Sequence, residues 1–254
     1  MASSSTAKVN YYDDDINSYE DFWNGREYEH HAELMAIRQL LKGKHYSSAM
    51  DYGGGYGRVT PTILEFADKV TLVDPSTKQL DQAKQKLKGL SVSYVRQTKK
   101  DHVPAKDNSL DLLVMIRVAH HLPQPGAVFK EIARVLKPGG EALIEVASEA
   151  DFVNRLRYLK KLQKVPKDPV AVGTKANGIE DDTPFVNHNP KTIEALLEQA
   201  GLPQRGKLSV SNLRNQFIKR RLSLKAMLKV EQVLQSPLAV VDFGPSIFFL
   251  VKKP

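Results

Sequence analysis

Short apolar runs alternate with longer amphipathic stretches along most of this chain. The runs at 49–50, 70–73, 92–95, 110–115 and 142–146 are rich in aliphatic and β-branched residues and too short for helices, so they read as strands. Residues 58–66 and 77–88 carry helical spacing between them. Strands separated by helices predict parallel pairing through crossovers, with both faces of the sheet covered. Before this block, residues 28–41 read as a helix whose Leu34, Ile37 and Leu41 share a face that packs on the sheet. After it, residues from 151 onward read as a basic amphipathic helix with Phe152, Leu156 and Leu159 on one side. A loop containing Pro and Gly follows, through Thr183-Pro184-Phe185. Asn189 then starts a helix that Gly201 stops. Residues 208–210 and 246–251 are the sixth and seventh strands, with helical material over 212–236 between them.

The first strand runs into Asp51-Tyr-Gly-Gly-Gly-Tyr-Gly57, a glycine-rich strand-to-helix turn with an acid at its head. Without Cβ atoms such a turn admits close approach of a ligand to the backbone; read alone, it is equally a tight turn with no ligand. A phosphate-binding P-loop needs Lys-Ser/Thr after the last glycine, and Arg58-Val59 stand there. A dinucleotide fingerprint needs a third glycine where Arg58 stands. What remains is acid-x-Gly-x-Gly-x-Gly, with Gly53, Gly55 and Gly57. The second strand ends in Asp74-Pro75-Ser76. An acid about 20 residues beyond a glycine loop accepts hydrogen bonds from ribose hydroxyls in nucleotide-binding α/β folds. Ser76 would cap the next helix, and the two roles are compatible. Asp51, Gly53, Asp74 and Met115 to Arg117 all fall at or just beyond strand carboxyl ends, where such sheets place their ligands.

A third block reads Asn108-Ser-Leu-Asp-Leu-Leu-Val-Met-Ile-Arg-Val-Ala-His-His-Leu122, then Glu131-Ile-Ala-Arg-Val-Leu-Lys-Pro-Gly-Gly140. With the glycine loop and Asp74 in order, the chain resembles the class I S-adenosylmethionine-dependent methyltransferases, and among them the type-11, ubiquinone/menaquinone-biosynthesis-like group, over roughly residues 46–147. The resemblance implies an α/β fold: a seven-stranded, mostly parallel Rossmann-like sheet with helices on both faces and helical lid insertions. Residues 1–10 read as a flexible tail and 11–47 as an N-terminal helical segment, and the resemblance assigns 48–254 to a methyltransferase domain, with lid insertions expected near 151–189 and 212–243. It implies S-adenosyl-L-methionine as cofactor. Asp51, Gly53, Gly54 and Gly55 would form its loop, and Asp74 would hold its ribose. Pro75 would cover one adenine face, and Met115, Ile116 and Arg117 would line the site. Arg26, in a segment that closes over the methionine end in relatives, would pair with the carboxylate. The group usually places an acid after the third strand to read the adenine amino group. Lys99 stands there, leaving backbone groups of Thr98 and Lys99, or a shifted Asp101, to read the ring.

Composition narrows the chemistry. The chain has 254 residues, 41% of them hydrophobic, enough for a sizeable core. It has no cysteine, so disulfides, thiolate metal sites and methylation through a cysteine nucleophile are excluded. His30-His31 and His120-His121 are no obvious chelate, so no metal is expected. No apolar run reaches about 18 residues. The start lacks an apolar signal core, and a cytoplasmic protein is expected. The net charge of +8 is uneven: residues 1–35 are acidic, and beyond Gly201 only Glu231 and Asp242 are acids. Arg221, Lys225 and Lys229 would form a stripe along one helix. That is the pattern of a solvated face or of an anion-attracting one, and it lacks the interleaved aromatics of a nucleic-acid groove. The favoured function is methyl transfer to a small molecule by in-line displacement, with no catalytic residue assigned. His120 and His121 are candidate bases or packing groups, and Arg117 could face an acidic acceptor. RNA or protein methylation, and cofactor binding without catalysis, are the alternatives. The oligomeric state is open.

Overall fold

The computed structural model describes residues 23–99, 101–172 and 185–254. The expected tail at 1–10, residues 11–22, Lys100 and residues 173–184 of the expected Pro- and Gly-containing stretch lie outside them. The chain opens with α1 (Glu27–Leu40), β1 (Ala49–Tyr52), α2 (Thr60–Leu64), β2 (Val70–Asp74), α3 (Thr77–Lys86), β3 (Val92–Arg96) and β4 (Leu110–Met115). A 3-10 turn (Ala119–His121) leads to α4 (Gly126–Val135), β5 (Leu136–Ala147), α5 (Phe152–Lys160), β6 (Val170–Val172) and β7 (Phe185–Asn187). The chain closes with α6 (Pro190–Gln199), β8 (Gln204–Val210), α7 (Gln216–Lys219), α8 (Leu224–Ala239) and β9 (Ser246–Lys252).

Seven strands form one sheet in the order β3-β2-β1-β4-β5-β9-β8. The first five are parallel, and β9 runs antiparallel to both β5 and β8. Strand order reverses between β1 and β4, so their carboxyl ends flank the crevice where such sheets bind ligands. Side chains alternate across the pleat. Leu113, Met115, Ile144 and Phe249 meet Phe129 and Ile132 of α4 and Ile193 of α6 on one face. Leu112, Val114, Leu143 and Phe248 meet Ala36 and Ile37 of α1 and Ile63 of α2 on the other, with Leu34 packed partly buried beside them. Each fully buried Leu, Ile or Phe stabilises by about 1.5–3 kcal/mol, so this two-sided core is what holds the strand ends in register.

The helix starts are the expected ones: Ser76 Oγ accepts from the Gln79 N–H at 3.1 Å, and Asn189 Oδ1 from that of Lys191 at 3.1 Å. Three expectations need correction. The helix after the glycine loop is only five residues long, because Gly57 (φ 80°) and its neighbours are consumed by the turn. The helical stretch at 212–236 is two helices, since Ser223 takes an extended backbone to cap α8. Arg221 therefore does not share a helix with Lys225 and Lys229. Its guanidinium lies 3.3 Å over the Phe217 ring, while the two lysines border a cleft of about 320 Å³ against His31 and Met35. Third, residues 170–172 and 185–187, which the expected Pro- and Gly-containing loop included or adjoined, pair as strands.

Candidate functional site

The glycine loop is tied down by its own amides. The Gly53 and Gly54 N–H groups donate to the Val73 carbonyl at 2.7 and 3.1 Å, which binds the loop to the end of β2. Asp74 completes the tie: one carboxylate oxygen accepts from the Gly55 N–H at 2.9 Å, the other from the Ser76 N–H at 2.9 Å. The loop and the second-strand acid are thus in direct contact. Gly53 and Gly55 have φ of 73° and 54°, left-handed values that glycine adopts without strain. A Cβ on Gly53 would lie 2.3 Å from Val118 Cγ2, and one on Gly54 would lie 2.8 Å from the Asp51 carboxylate. At these two glycines the space a side chain would need is already filled by Val118, on the segment after β4, and by the acid at the head of the loop.

Asp51 is buried, at 1% exposure. Its Oδ2 accepts from Thr60 Oγ1 at 2.6 Å, and its Oδ1 is buried with no hydrogen-bond partner among the described residues. Burial pushes its carboxyl up to about 6; the Thr60 hydroxyl and the Arg58 charge oppose the rise, and Asp74 adds to it. A buried oxygen without a donor is costly unless a ligand supplies one.

Across the mouth from the loop, α1 brings a second set of charges. Glu33, fully buried, is clasped from both sides: Arg58 Nη2 stands 2.5 Å from Oε2, and Arg117 Nε donates to Oε1 at 2.7 Å. Burial alone would raise the Glu33 carboxyl, but Arg117 and Arg58 outweigh it and hold it below the usual range. The Arg58 guanidinium lies 3.7 Å over the Trp23 ring and 2.9 Å from His30 Nδ1. Burial, with Arg58 next, lowers His30 to about 4, so it stays a neutral acceptor. Arg117 itself has a left-handed backbone (φ 61°), and its N–H donates to Glu145 Oε2 at 2.9 Å. Glu145, fully buried on β5, also accepts from the Ser246 hydroxyl. Burial raises its carboxyl despite Arg117.

The third wall is aromatic. His120 and His121 sit on the 3-10 turn with ring centroids 4.2 Å apart, and both rings face Phe185 at 5.2 and 5.0 Å. His188 Nε2 lies 3.0 Å from the Ala119 carbonyl. Burial holds His121 down at about 4 and pushes His120 and His188 down as well, so these imidazoles are neutral near pH 7.

The structure brings Asp51, Gly53, Gly54, Gly55 and Asp74 together and sets Met115, Ile116 and Arg117 beside them through the β1–β4 pairing. Met115 and Ile116 are buried in the opposite core faces, and only Arg117 of the three is partly exposed. Pro75 follows Asp74, with its carbonyl accepting from Arg96 Nε at 3.3 Å. Thr98 and Lys99 are exposed beyond β3. Gln97 organises that segment by donating to Tyr52 Oη at 2.6 Å and to the carbonyls of Lys99 and His102 at 3.2 Å. Arg26 precedes α1, its N–H bound to the Trp23 carbonyl at 3.0 Å, at the corner where Trp23 meets Arg58. Sequence reading missed Trp23, His30, Glu33, Arg58, Glu145 and Gln97 here. The available signal was Glu145, an acid inside the otherwise apolar run 142–146.

A methyltransferase domain family profile matches residues 50–144. The chain is 26% identical over 117 residues to a ubiquinone biosynthesis O-methyltransferase of Sodalis glossinidius, covering 44% of this chain and 47% of that protein. It is 27% identical over 166 residues to a ubiquinone/menaquinone biosynthesis C-methyltransferase of Shewanella halifaxensis, covering 61% and 66%. The chain matches about half the length of the first of these curated relatives. Its fold resembles the crystal structure of an S-adenosylmethionine-dependent methyltransferase from Thermotoga maritima, with a TM-score of 0.63 at 18% identity, covering 96% of this chain and 98% of that one. A Mesorhizobium loti S-adenosylmethionine-dependent methyltransferase matches with a TM-score of 0.59 at 16% identity over 87% and 98%. The matched stretch, residues 50–144, is a methyltransferase domain of the type-11 group, a group whose cofactor is S-adenosyl-L-methionine. The residues present fit that group: the unpartnered buried oxygen of Asp51 suits a cationic ligand, and no phosphate-binding lysine follows the loop.

Proposed function

We propose that this protein transfers a methyl group from S-adenosyl-L-methionine to a small-molecule acceptor by in-line displacement. The observation that carries the reading is the Gly55–Asp74 contact, which joins the glycine loop to the acid suited to a ribose diol, beside a buried Asp51 oxygen in need of a donor. When bound, the cofactor supplies a methyl group already activated by its sulfonium. The chain's part is to bind, align and exclude water. Asp74 accepts from the ribose hydroxyls and Pro75 covers one face of the adenine. Backbone groups of Thr98 and Lys99 read the ring edge in place of the missing acid. Arg26 holds the methionine carboxylate. Arg117, at the end of β4 beyond the buried Met115 and Ile116, lines the site.

The acceptor enters beside His120, His121 and Phe185, where neutral imidazoles can take a proton if the nucleophile must lose one. The segments near 151–189 and 212–243 act as lids over that side. The quinone-pathway names of the relatives favour a small acceptor over RNA or protein. Among the described residues no helix is long and apolar enough to cross a membrane. A cytoplasmic location is part of the proposal.

Calorimetry with S-adenosylmethionine and with NAD tests the cofactor, with binding expected for the first alone. Tighter binding of NAD would end the reading. Labelled donor incubated with separate metabolite and RNA pools then tests the acceptor class. Label in the RNA pool would overturn a small acceptor, and donor binding with label in neither pool would favour a non-catalytic binder.

A further inference from the structure

Helix α5 is mounted the wrong way round for a soluble surface. Its polar side faces the protein: Tyr158 Oη donates to Glu149 Oε1 at 2.7 Å, and Asn154 donates to Glu149 Oε2 at 3.4 Å and to Asp151 Oδ2 at 2.9 Å. Glu149 is itself anchored, buried just past the end of β5, where its N–H donates to the His188 carbonyl at 2.8 Å and its carboxylate accepts from Asn187 at 3.0 Å. On a helix the side opposite residues 154 and 158 is the one that carries 152, 156 and 159. Those residues are Phe152, Leu156 and Leu159, exposed at 48%, 41% and 67%, with Val153 at 52% beside them. None of the helix's residues is buried. An amphipathic helix normally turns its apolar side inward. Here capping by Asp151 and the Glu149 hydrogen bonds fix the opposite orientation.

The apolar face does not end with the helix. Leu162, in the turn after α5, is 94% exposed. Phe152 stacks on Phe243 with ring centroids 5.0 Å apart, and Arg155 reaches to 3.8 Å from Asp242, which brings the end of α8 alongside. Val240 and Val241 there are 84% and 47% exposed. A contiguous apolar patch of this kind marks an interaction surface. Its rim says with what: Arg157, Lys160, Lys161 and Lys164 flank the face, and no acid lies between Asp151 and Asp168. Apolar side chains on one side of a helix with lysine and arginine along its border are the arrangement that lies in the headgroup layer of an anionic bilayer.

We propose that the α5 face, continued by Val240 and Val241, docks this protein on the surface of a membrane containing anionic phospholipid. The apolar side chains enter the acyl boundary, and the arginines and lysines meet the phosphates. Docking through this face does not depend on which acceptor is methylated. It sets α5, next to His188 and β7, at the lipid surface, so that the histidine-lined wall opens close to the headgroups.

Vesicle sedimentation of the full chain tests it. Phosphatidylcholine vesicles carrying an equal part of phosphatidylglycerol should pull the protein down, phosphatidylcholine alone should not, and salt should weaken the binding. Leu156→Glu with Leu159→Glu, or Arg157→Glu with Lys160→Glu, should each weaken it by at least about tenfold while leaving the melting temperature and S-adenosylmethionine affinity in place. Hydrogen exchange of the unmutated protein on vesicles gives a readout that needs no variant, with protection expected at residues 152–162. No sedimentation with phosphatidylglycerol, or protection confined elsewhere, overturns the proposal. So does a wild-type dimer that the leucine variant converts to monomer, which would assign the face to a second copy. Salt-sensitive binding of single-stranded RNA without vesicle binding would assign the charges to nucleic acid and overturns it as well.

Discussion

Asp74 does two jobs with one carboxylate. It accepts from Gly55 and Ser76, so it shapes the loop, and in the proposed function it also accepts from the cofactor ribose. Asp74→Ala should therefore cost stability as well as affinity. Leaving two amides without acceptors costs about 1–3 kcal/mol each where no water replaces the carboxylate, so the melting temperature should fall along with at least a tenfold loss of donor affinity (about 1.4 kcal/mol). Calorimetry that finds donor affinity unchanged would remove Asp74 from the cofactor site. Gly53 offers a separate test of packing. Gly53→Ala places a Cβ 2.3 Å from Val118 Cγ2 on a backbone at φ 73°, a strain on the order of 1–3 kcal/mol. Adding Val118→Ala removes the clashing atom but not the backbone cost, so a denaturation double-mutant cycle should give partial rescue. Additive losses would show that Val118 is not what crowds Gly53. Both glycine positions and Asp74 could be picked from sequence, because the loop is continuous in the chain and its spacing reports its geometry.

At the scale of elements, α1 is locked to the sheet by charge as well as by its apolar face. Glu33 holds Arg58, from the start of the crossover, and Arg117, from the end of β4, with both cations largely buried. Glu33→Gln leaves two guanidinium groups short of their counter-charge, and breaking a buried pair costs about 3–5 kcal/mol. Chemical denaturation should report that loss. The folded-state carboxyl of Glu33 lies below its unfolded value. Its contribution is therefore full above the ordinary carboxylate range and lost as pH falls through the folded value. The difference between wild type and Glu33→Gln should shrink in acid; a difference constant down to pH 3 would contradict the pairing. This clasp was not legible in the sequence. Glu33 and Arg117 are separated by 84 positions, and only the packing of α1 across the carboxyl ends of β1 and β4 brings them together. The division of α7 from α8 was likewise missed, because the helical spacing continues across Ser223 while its backbone turns out to cap.

For the whole molecule, the neutral histidines make a prediction with a definite sign. His121 is held near 4 in the fold, below the usual imidazole value, so the unfolded chain takes up its proton first. Its contribution is neutral at pH 7, and stability is lost as pH falls from about 6.5 toward 4. His121→Gln should flatten that part of the pH profile relative to wild type, and imidazole chemical shifts should show His121 still neutral at pH 5. A titration midpoint near 6.5 would refute the burial account. The sequence by itself determined the seven strands of the main sheet, the glycine loop and the second-strand acid, because each is written in short-range periodicity or in a contiguous motif; the cofactor class followed from the family resemblance that those motifs together carry. The paired charges of α1, the histidine wall around Phe185 and the outward apolar face of α5 were decided only in three dimensions. In α5 the chain specifies an amphipathic helix, and which side it buries depends on a carboxylate at Glu149 that the end of β5 carries into place.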